Sequence, residues 1–198
     1  MVQTKKPEVR AAIVEAATAL FRERGYAFSS MSQIAKRAGV SPANIYVYFG
    51  SKLDILFAVY DPWLRARIER MTEEARAIPD AEARLRFVLR TVWNDIPGDD
   101  NCFANNLVQA LAGVSPEDSY SRELLAWSEA RLEALVAETL PPERRWLARD
   151  GALARLVFMA FDGFAVNHNL GGPSERIDRI VEVTAALLLG TARPPPAQ

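Results

Sequence analysis

The sequence predicts an all-α fold, a three-helix N-terminal domain followed by a larger helical domain. Three observations carry that expectation. Apolar residues recur at three- and four-residue steps along most of the 198 residues, and Gly and Pro fall mainly between those stretches. No alternating segment is bounded by the turn pairs of a hairpin, and Asp162-Gly163 lies inside a helical pattern. With 49% hydrophobic and 25% charged residues, the chain can bury a proper core.

The first helix begins near Pro7, an early helical position that needs no amide donor. Val9, Ile13, Ala16, Leu20 and Phe21 then form one apolar face, and Gly25 ends the helix. Ser30 and Gln33 make a capping box, predicting a short helix from about Met31 to Ala38 that stops at Gly39. Ser41 caps the next helix, with Pro42 at its first position and Ala43 to Tyr48 in its body. A second box, Ser51 with Asp54, starts a longer helix through Leu56, Tyr60, Leu64 and Ile68. Beyond it, long helices are separated at Pro79-Asp80, Pro97 to Asp100, Gly113 to Asp118, Pro141-Pro142 and Gly171 to Pro173. The last two helices run roughly from Pro142 to Leu170 and from Ser174 to Thr191. The proline-rich tail from Pro194 to Gln198 ends them.

The charges are unevenly placed. The formal net charge is -1, yet residues 1–52 hold eight Lys and Arg against three Glu, a local +5 that leaves -6 for the rest. This is the pattern of a basic module on an acidic body. One cysteine, Cys102, and one histidine, His168, exclude an internal disulfide and a single-chain Cys/His zinc cluster. There is no phosphate-cradling glycine loop and no nucleophile elbow, and Asp162 and His168 lie about 120° apart around a helix. We therefore expect no enzyme, no cofactor and no metal. The first ten residues lack the apolar stretch of a secretory signal and no run is long enough to cross a bilayer, so a soluble cytoplasmic protein with no membrane partner is expected.

Residues 31–48 have the spacing of a helix-turn-helix, a short helix, a tight turn at Gly39-Val40, and a second short helix whose N-terminal residues can meet base edges in a major groove. Alone, the segment reads rather as two core helices meeting at a glycine. It does not stand alone. The text from Ala11 to Val59, above all LFRERGY, IAKRAGVS and IYVYFGSKLDIL, resembles the N-terminal domain of the TetR family of bacterial transcriptional regulators.

The resemblance implies a DNA-binding domain over residues 1–54 and an effector-binding and dimerisation domain over 55–198. It implies DNA-facing roles for Ser30, Ser32, Ser41, Pro42, Ala43, Asn44, Tyr46, Val47, Tyr48 and Lys52. Their chemistry fits, since Asn can pair with an adenine edge, Val can touch a thymine methyl, and Tyr and Lys can reach phosphates. Tyr46 reads also as a packing residue. Lys5, Lys6 and Arg10 read either as a basic arm over DNA or as the solvated start of the first helix.

For a small-molecule effector, the candidates are Phe87, Trp93, Phe103, Asn106, Gln109, Ala110, Trp127, Phe158, Phe161 and His168. Phe158, Phe161, Ala165 and His168 share one helical stripe that reads as core, interface or ligand wall. Asn105, Asn106 and Gln109 sit among apolar neighbours and need partners, which a ligand or a neighbouring helix can supply. The aromatic content suggests a flat or largely apolar effector.

For a homodimer interface, the candidates are Leu156, Met159, Ala160, Gly163, Val166, Asn167, Ile177, Val181, Thr184 and Leu188. A two-fold dimer implies a palindromic double-stranded operator. The expected function is a ligand-released repressor. The alternatives are an activator, or a helical adaptor that keeps the fold and binds protein.

Overall fold

The computed structural model describes residues 6–99, 102–113, 122–171 and 175–192. Among these there are ten α-helices and no strand, so the all-α expectation holds. They are α1 (Pro7–Arg24), α2 (Met31–Arg37), α3 (Pro42–Tyr48), α4 (Lys52–Arg76), α5 (Ala81–Arg90), α6 (Ile96–Gly98), α7 (Phe103–Ala112), α8 (Glu123–Thr139), α9 (Ala152–Gly171) and α10 (Ile177–Leu189). Packing divides the chain into two compact units, residues 1–65 with 100–124, and residues 66–99 with 125–198. The basic arm falls partly outside the described residues at Lys5, as does the tail from Pro194.

In the first unit the predicted caps form. The Ser30 hydroxyl accepts from the Gln33 amide at 3.2 Å, while the Gln33 side chain accepts from the Ser30 amide at 2.9 Å. Ser51 and Asp54 make the same reciprocal pair at 3.0 Å in each direction. Ser41 accepts from the Asn44 amide at 3.1 Å. Each cap is worth about 1 kcal/mol, which matters for seven-residue helices that are marginal by themselves. Between α2 and α3, Gly39 takes φ +68°, the Gly39 amide donates to Lys36 and the Val40 amide to Ala35. That pair of bonds closes a helix end in the left-handed conformation that glycine adopts without a side-chain clash. Ile34, Ala35 and Ile45 are wholly buried, and Ile13, Ala17 and Phe21 of α1 are buried with them in this unit.

In the second unit α10 packs on α5 through Ile177, Val181 and Ala185, opposite the buried Leu85, Val88 and Leu89. The helix begun by α5 does not stay α. Thr91–Asp95 form a π turn, in which Ile96 donates its amide five residues back to Thr91. Pro97 follows at once. A proline ring clashes with the carbonyl four residues before it in an α-helix, here that of Trp93, and the widened turn lies where that clash would fall. Trp93 is held there, its indole N–H donating to Val157 at 2.9 Å and its ring stacked on Phe164 at 5.6 Å.

One expected helix boundary is corrected. Residues Pro142–Ala148 form a 3-10 segment, and the helix predicted to begin at Pro142 begins at Ala152. Asp150 and Gly151 both have positive φ, 66° and 74°, and break the chain between the two. Asp-Gly is a turn pair, and this one was legible in the sequence.

Candidate nucleic-acid interface

The ten DNA-facing candidates lie on one stretch from the N-terminus of α2 to that of α4. Ser30, Ser32, Ser41, Pro42, Ala43 and Tyr46 are exposed, while Asn44, Val47, Tyr48 and Lys52 are partly covered. Tyr46, 58% exposed, is not a packing residue of this unit. Capping uses one oxygen lone pair on Ser30 and on Ser41, and leaves each hydroxyl hydrogen available to a phosphate. The Tyr48 hydroxyl accepts from the Lys6 amide at 3.1 Å, which ties the start of α1 to α3. Arg10 lies over the Phe49 ring, 5.2 Å from its centroid. Arg37 is paired with Glu23 at 2.6 Å, and Lys36 is exposed.

Two candidates differ from their expected use. The Asn44 side-chain oxygen is buried and has no hydrogen-bond partner among the described residues. A bidentate contact with adenine needs that oxygen as acceptor, so Asn44 reads adenine only after its amide turns outward. The Lys52 ammonium donates to the carbonyls of Tyr26 and Ser29, both at 2.7 Å, and sits 4.0 Å from the centroid of the Tyr26 ring. Burial lowers its pKa. Two of its three N–H groups therefore hold the α1–α2 turn, and one is left for a phosphate.

The ligand candidates divide between the units. Phe103, Asn106, Gln109 and Ala110 are in the first, whereas Phe87, Trp93, Trp127, Phe158, Phe161 and His168 are in the second. Asn106 is fully buried, and its partners are protein groups. Its oxygen accepts from the Tyr26 amide at 2.7 Å, and its nitrogen donates to the Tyr60 hydroxyl at 2.8 Å and the Phe21 carbonyl at 3.3 Å. Gln109 accepts from the Ala27 amide at 2.9 Å and donates to Asn105 at 2.8 Å. Phe103 packs its ring against Tyr60 and Trp63, with centroids at 5.2 and 5.0 Å. Burial raises the pKa of the Tyr60 hydroxyl. In the second unit Trp93 and Phe161 are buried, while Phe87, Trp127, Phe158 and His168 are half-buried. A surface groove of about 310 Å³ runs between α5 and α10, lined by Arg86, Arg179, Val183 and Leu187 among others, and none of the ten candidates lines it.

The interface candidates also sort by exposure. Leu156, Met159, Gly163, Val166 and Asn167 are exposed on α9, and Ala160 is half-buried. On α10, Thr184 and Leu188 are half-buried, but Ile177 and Val181 are buried within the protomer at 5% and 4% exposure. Those two cannot meet a partner while α10 stays packed on α5. The outward apolar residues there are Ile180, Val183 and Leu187, and Leu170 extends the α9 stripe at 82% exposure. The sequence held the signal, because α10 has apolar residues on two faces and only one can be the inner one.

No helix among the described residues is long and apolar enough to cross a membrane. The sequence pattern of the family described as bacterial regulatory proteins, tetR family, matches residues 13–59. The Fatty acid metabolism regulator protein of Bacillus subtilis is 37% identical over 89 residues, which are 45% of this chain and 46% of that protein, so the chain matches less than half of that relative's length. The HTH-type transcriptional activator FasR of Mycolicibacterium smegmatis is 30% identical over 164 residues, 73% of this chain and 75% of that protein. Among solved structures, FadR of Thermus thermophilus, a repressor crystallised with lauroyl-CoA, superposes with a TM-score of 0.61 over 96% of this chain and 98% of that one, at 23% identity. FadR of Bacillus subtilis with stearoyl-CoA gives 0.58 over 92% and 99%, also at 23%. At such identity the structural likeness is one of fold.

Proposed function

The chain belongs to the TetR family of bacterial regulatory proteins, and on that premise we propose that it is a transcriptional regulator that reads a palindromic operator as a dimer and releases it on binding an effector with a long apolar part. The observation that carries the DNA-binding half is the α2–α3 unit. It is capped at both helix N-termini, closed by a left-handed glycine turn, and exposes serine hydroxyls, Tyr46 and Lys36 within the +5 segment. Residues 1–54 act as the DNA-binding domain and 55–198 as the sensing and pairing domain.

Two copies pair through α9 and α10. Leu156, Met159, Gly163, Val166 and Leu170 repeat at alternating steps of three and four, the seam that suits helix against helix, and Gly163 leaves room for close approach. For the effector, a fatty acyl thioester of coenzyme A is the first choice, because relatives are named for fatty acid metabolism or were crystallised with acyl-CoA. A ligand shifts such an equilibrium only by the difference in its affinity for the two states. Repression by occupancy is the proposed direction. The FasR relative is named an activator, and activation is accordingly the second reading.

Selection from random duplex DNA, repeated with lauroyl-CoA and with coenzyme A alone, tests both halves. The expected result is a palindromic sequence whose binding weakens as salt rises, released by lauroyl-CoA and not by coenzyme A. Failure to enrich any sequence refutes DNA reading. Enrichment that no acyl-CoA alters refutes the effector class alone. A reporter fused to the selected sequence then gives the direction of regulation.

A further inference from the structure

We infer that Asn106 and Gln109 of α7 are positioning residues for DNA binding, an amide clamp that sets how the α1–α2 turn delivers the chain to α2. The inference rests on the DNA-reading function proposed above and adds residues to it that lie far from the recognition helix in sequence. Everything it uses lies in the first unit.

The turn from Gly25 to Ser30 is held from two sides. From α7, the Asn106 oxygen takes the Tyr26 amide and the Gln109 oxygen takes the Ala27 amide, at 2.7 and 2.9 Å. From α4, Lys52 takes the carbonyls of Tyr26 and Ser29. Tyr26 thus has its N–H on one helix and its C=O on another. Ser29 is buried, with its hydroxyl on the Gly25 carbonyl at 2.8 Å, and the next residue, Ser30, is the N-cap of α2. No free residue separates the clamped turn from the capped helix.

Gly25 completes the device. Its φ is +79°, and a Cβ there would lie 3.2 Å from the Gln109 oxygen, so the glycine both permits the turn and leaves space for the amide that grips it. Asn106 is fixed in turn. Its nitrogen donates to Phe21 and Tyr60, so the oxygen cannot leave Tyr26 without the nitrogen giving up buried partners. A helix seven residues long cannot hold its own direction, and α2 takes it from its packing on α1 and from the turn that precedes it. Loss of the clamp therefore misaims α2, and α3 packed on it, at the operator.

The test compares the full chain with Gln109→Leu, Asn106→Leu and Tyr60→Phe, each measured for operator affinity at fixed salt, melting temperature, and hydrogen exchange at the Tyr26 and Ala27 amides. Gln109→Leu frees an exposed amide that water can serve, so it is expected to weaken operator binding about tenfold with an unchanged melting temperature. Asn106→Leu lowers both affinity and melting temperature. Tyr60→Phe removes one of the two partners that fix the Asn106 nitrogen and leaves the Phe21 carbonyl on it, so it lowers the melting temperature and weakens operator binding less than Asn106→Leu does. Wild-type operator affinity in Gln109→Leu overturns the inference, as does affinity that merely follows melting temperature across all three variants. A wild-type chain that binds no DNA overturns the functional reading and the positioning role with it, even with both amides protected.

Discussion

The short helix α3, proposed to read the operator, and the long helix α9 both present side chains outward, and they are held in place by different means. α3 has one buried residue, Ile45, and depends on the Ser41 cap and its contact with α2. α9 is twenty residues long, buries Leu153, Ala154, Val157, Phe161 and Ala165, and still exposes a second apolar stripe. A short capped helix can afford a polar outer face because neighbours set its direction. A long helix that is apolar on two sides has one side left for another chain.

The sharpest way to break that contrast is to charge the outer stripe of α9. Leu156→Glu with Met159→Glu is expected to weaken self-association at least about a thousandfold, since each subunit would bring unpaired carboxylates into an apolar seam. Light scattering at micromolar concentration should then give the monomer mass, and a dimer that survives would move the interface elsewhere. On the α3 side, Ile45→Ala should cost about 2–4 kcal/mol in urea unfolding, because Ile45 is wholly buried and is the one buried residue of its helix. A smaller loss would mean that α3 is held mainly by its ends.

Ser41→Ala asks that question directly, with an expected loss of about 1 kcal/mol and weaker operator binding at constant salt. Ser41→Asp, which keeps an acceptor, should restore the stability while its charge opposes the phosphates. The smallest expected effect is at Lys36. Lys36→Gln should flatten the plot of log affinity against log salt by about 0.9 if that ammonium meets a phosphate, with unfolding unchanged. An unaltered slope would assign Lys36 to solvent.

The contrast also explains what could be read from the sequence. The caps at Ser30, Ser41 and Ser51 and the turn at Gly39 were legible because donor and acceptor lie within a few residues of each other. The helix-turn-helix followed from them. Asn106 finds Tyr26, Tyr60 and Phe21, Tyr26 lying eighty residues away, and no local pattern pairs them. Ile177 and Val181 are interface candidates by periodicity and are buried within the protomer for a related reason, because periodicity finds two apolar faces of α10 and only packing on α5 chooses the inner one. Asn44 shows a third limit. Its residue type suits adenine, while the buried orientation of its oxygen is set by surroundings that no motif records.

The π turn at Thr91–Asp95 bears on how this chain is aligned with its relatives. A π turn carries one residue more than the α turn over the same path, so every position after it is displaced by about 100° around the helix axis. A relative that runs straight α through this region has one residue fewer there. The gap in a correct alignment then falls inside the helix, within residues 91–95, and not in the neighbouring loop where gaps are customarily placed. Setting it in a neighbouring loop would match Trp93, or the residues that follow it, to positions facing another way, and would make equivalent side chains look like substitutions.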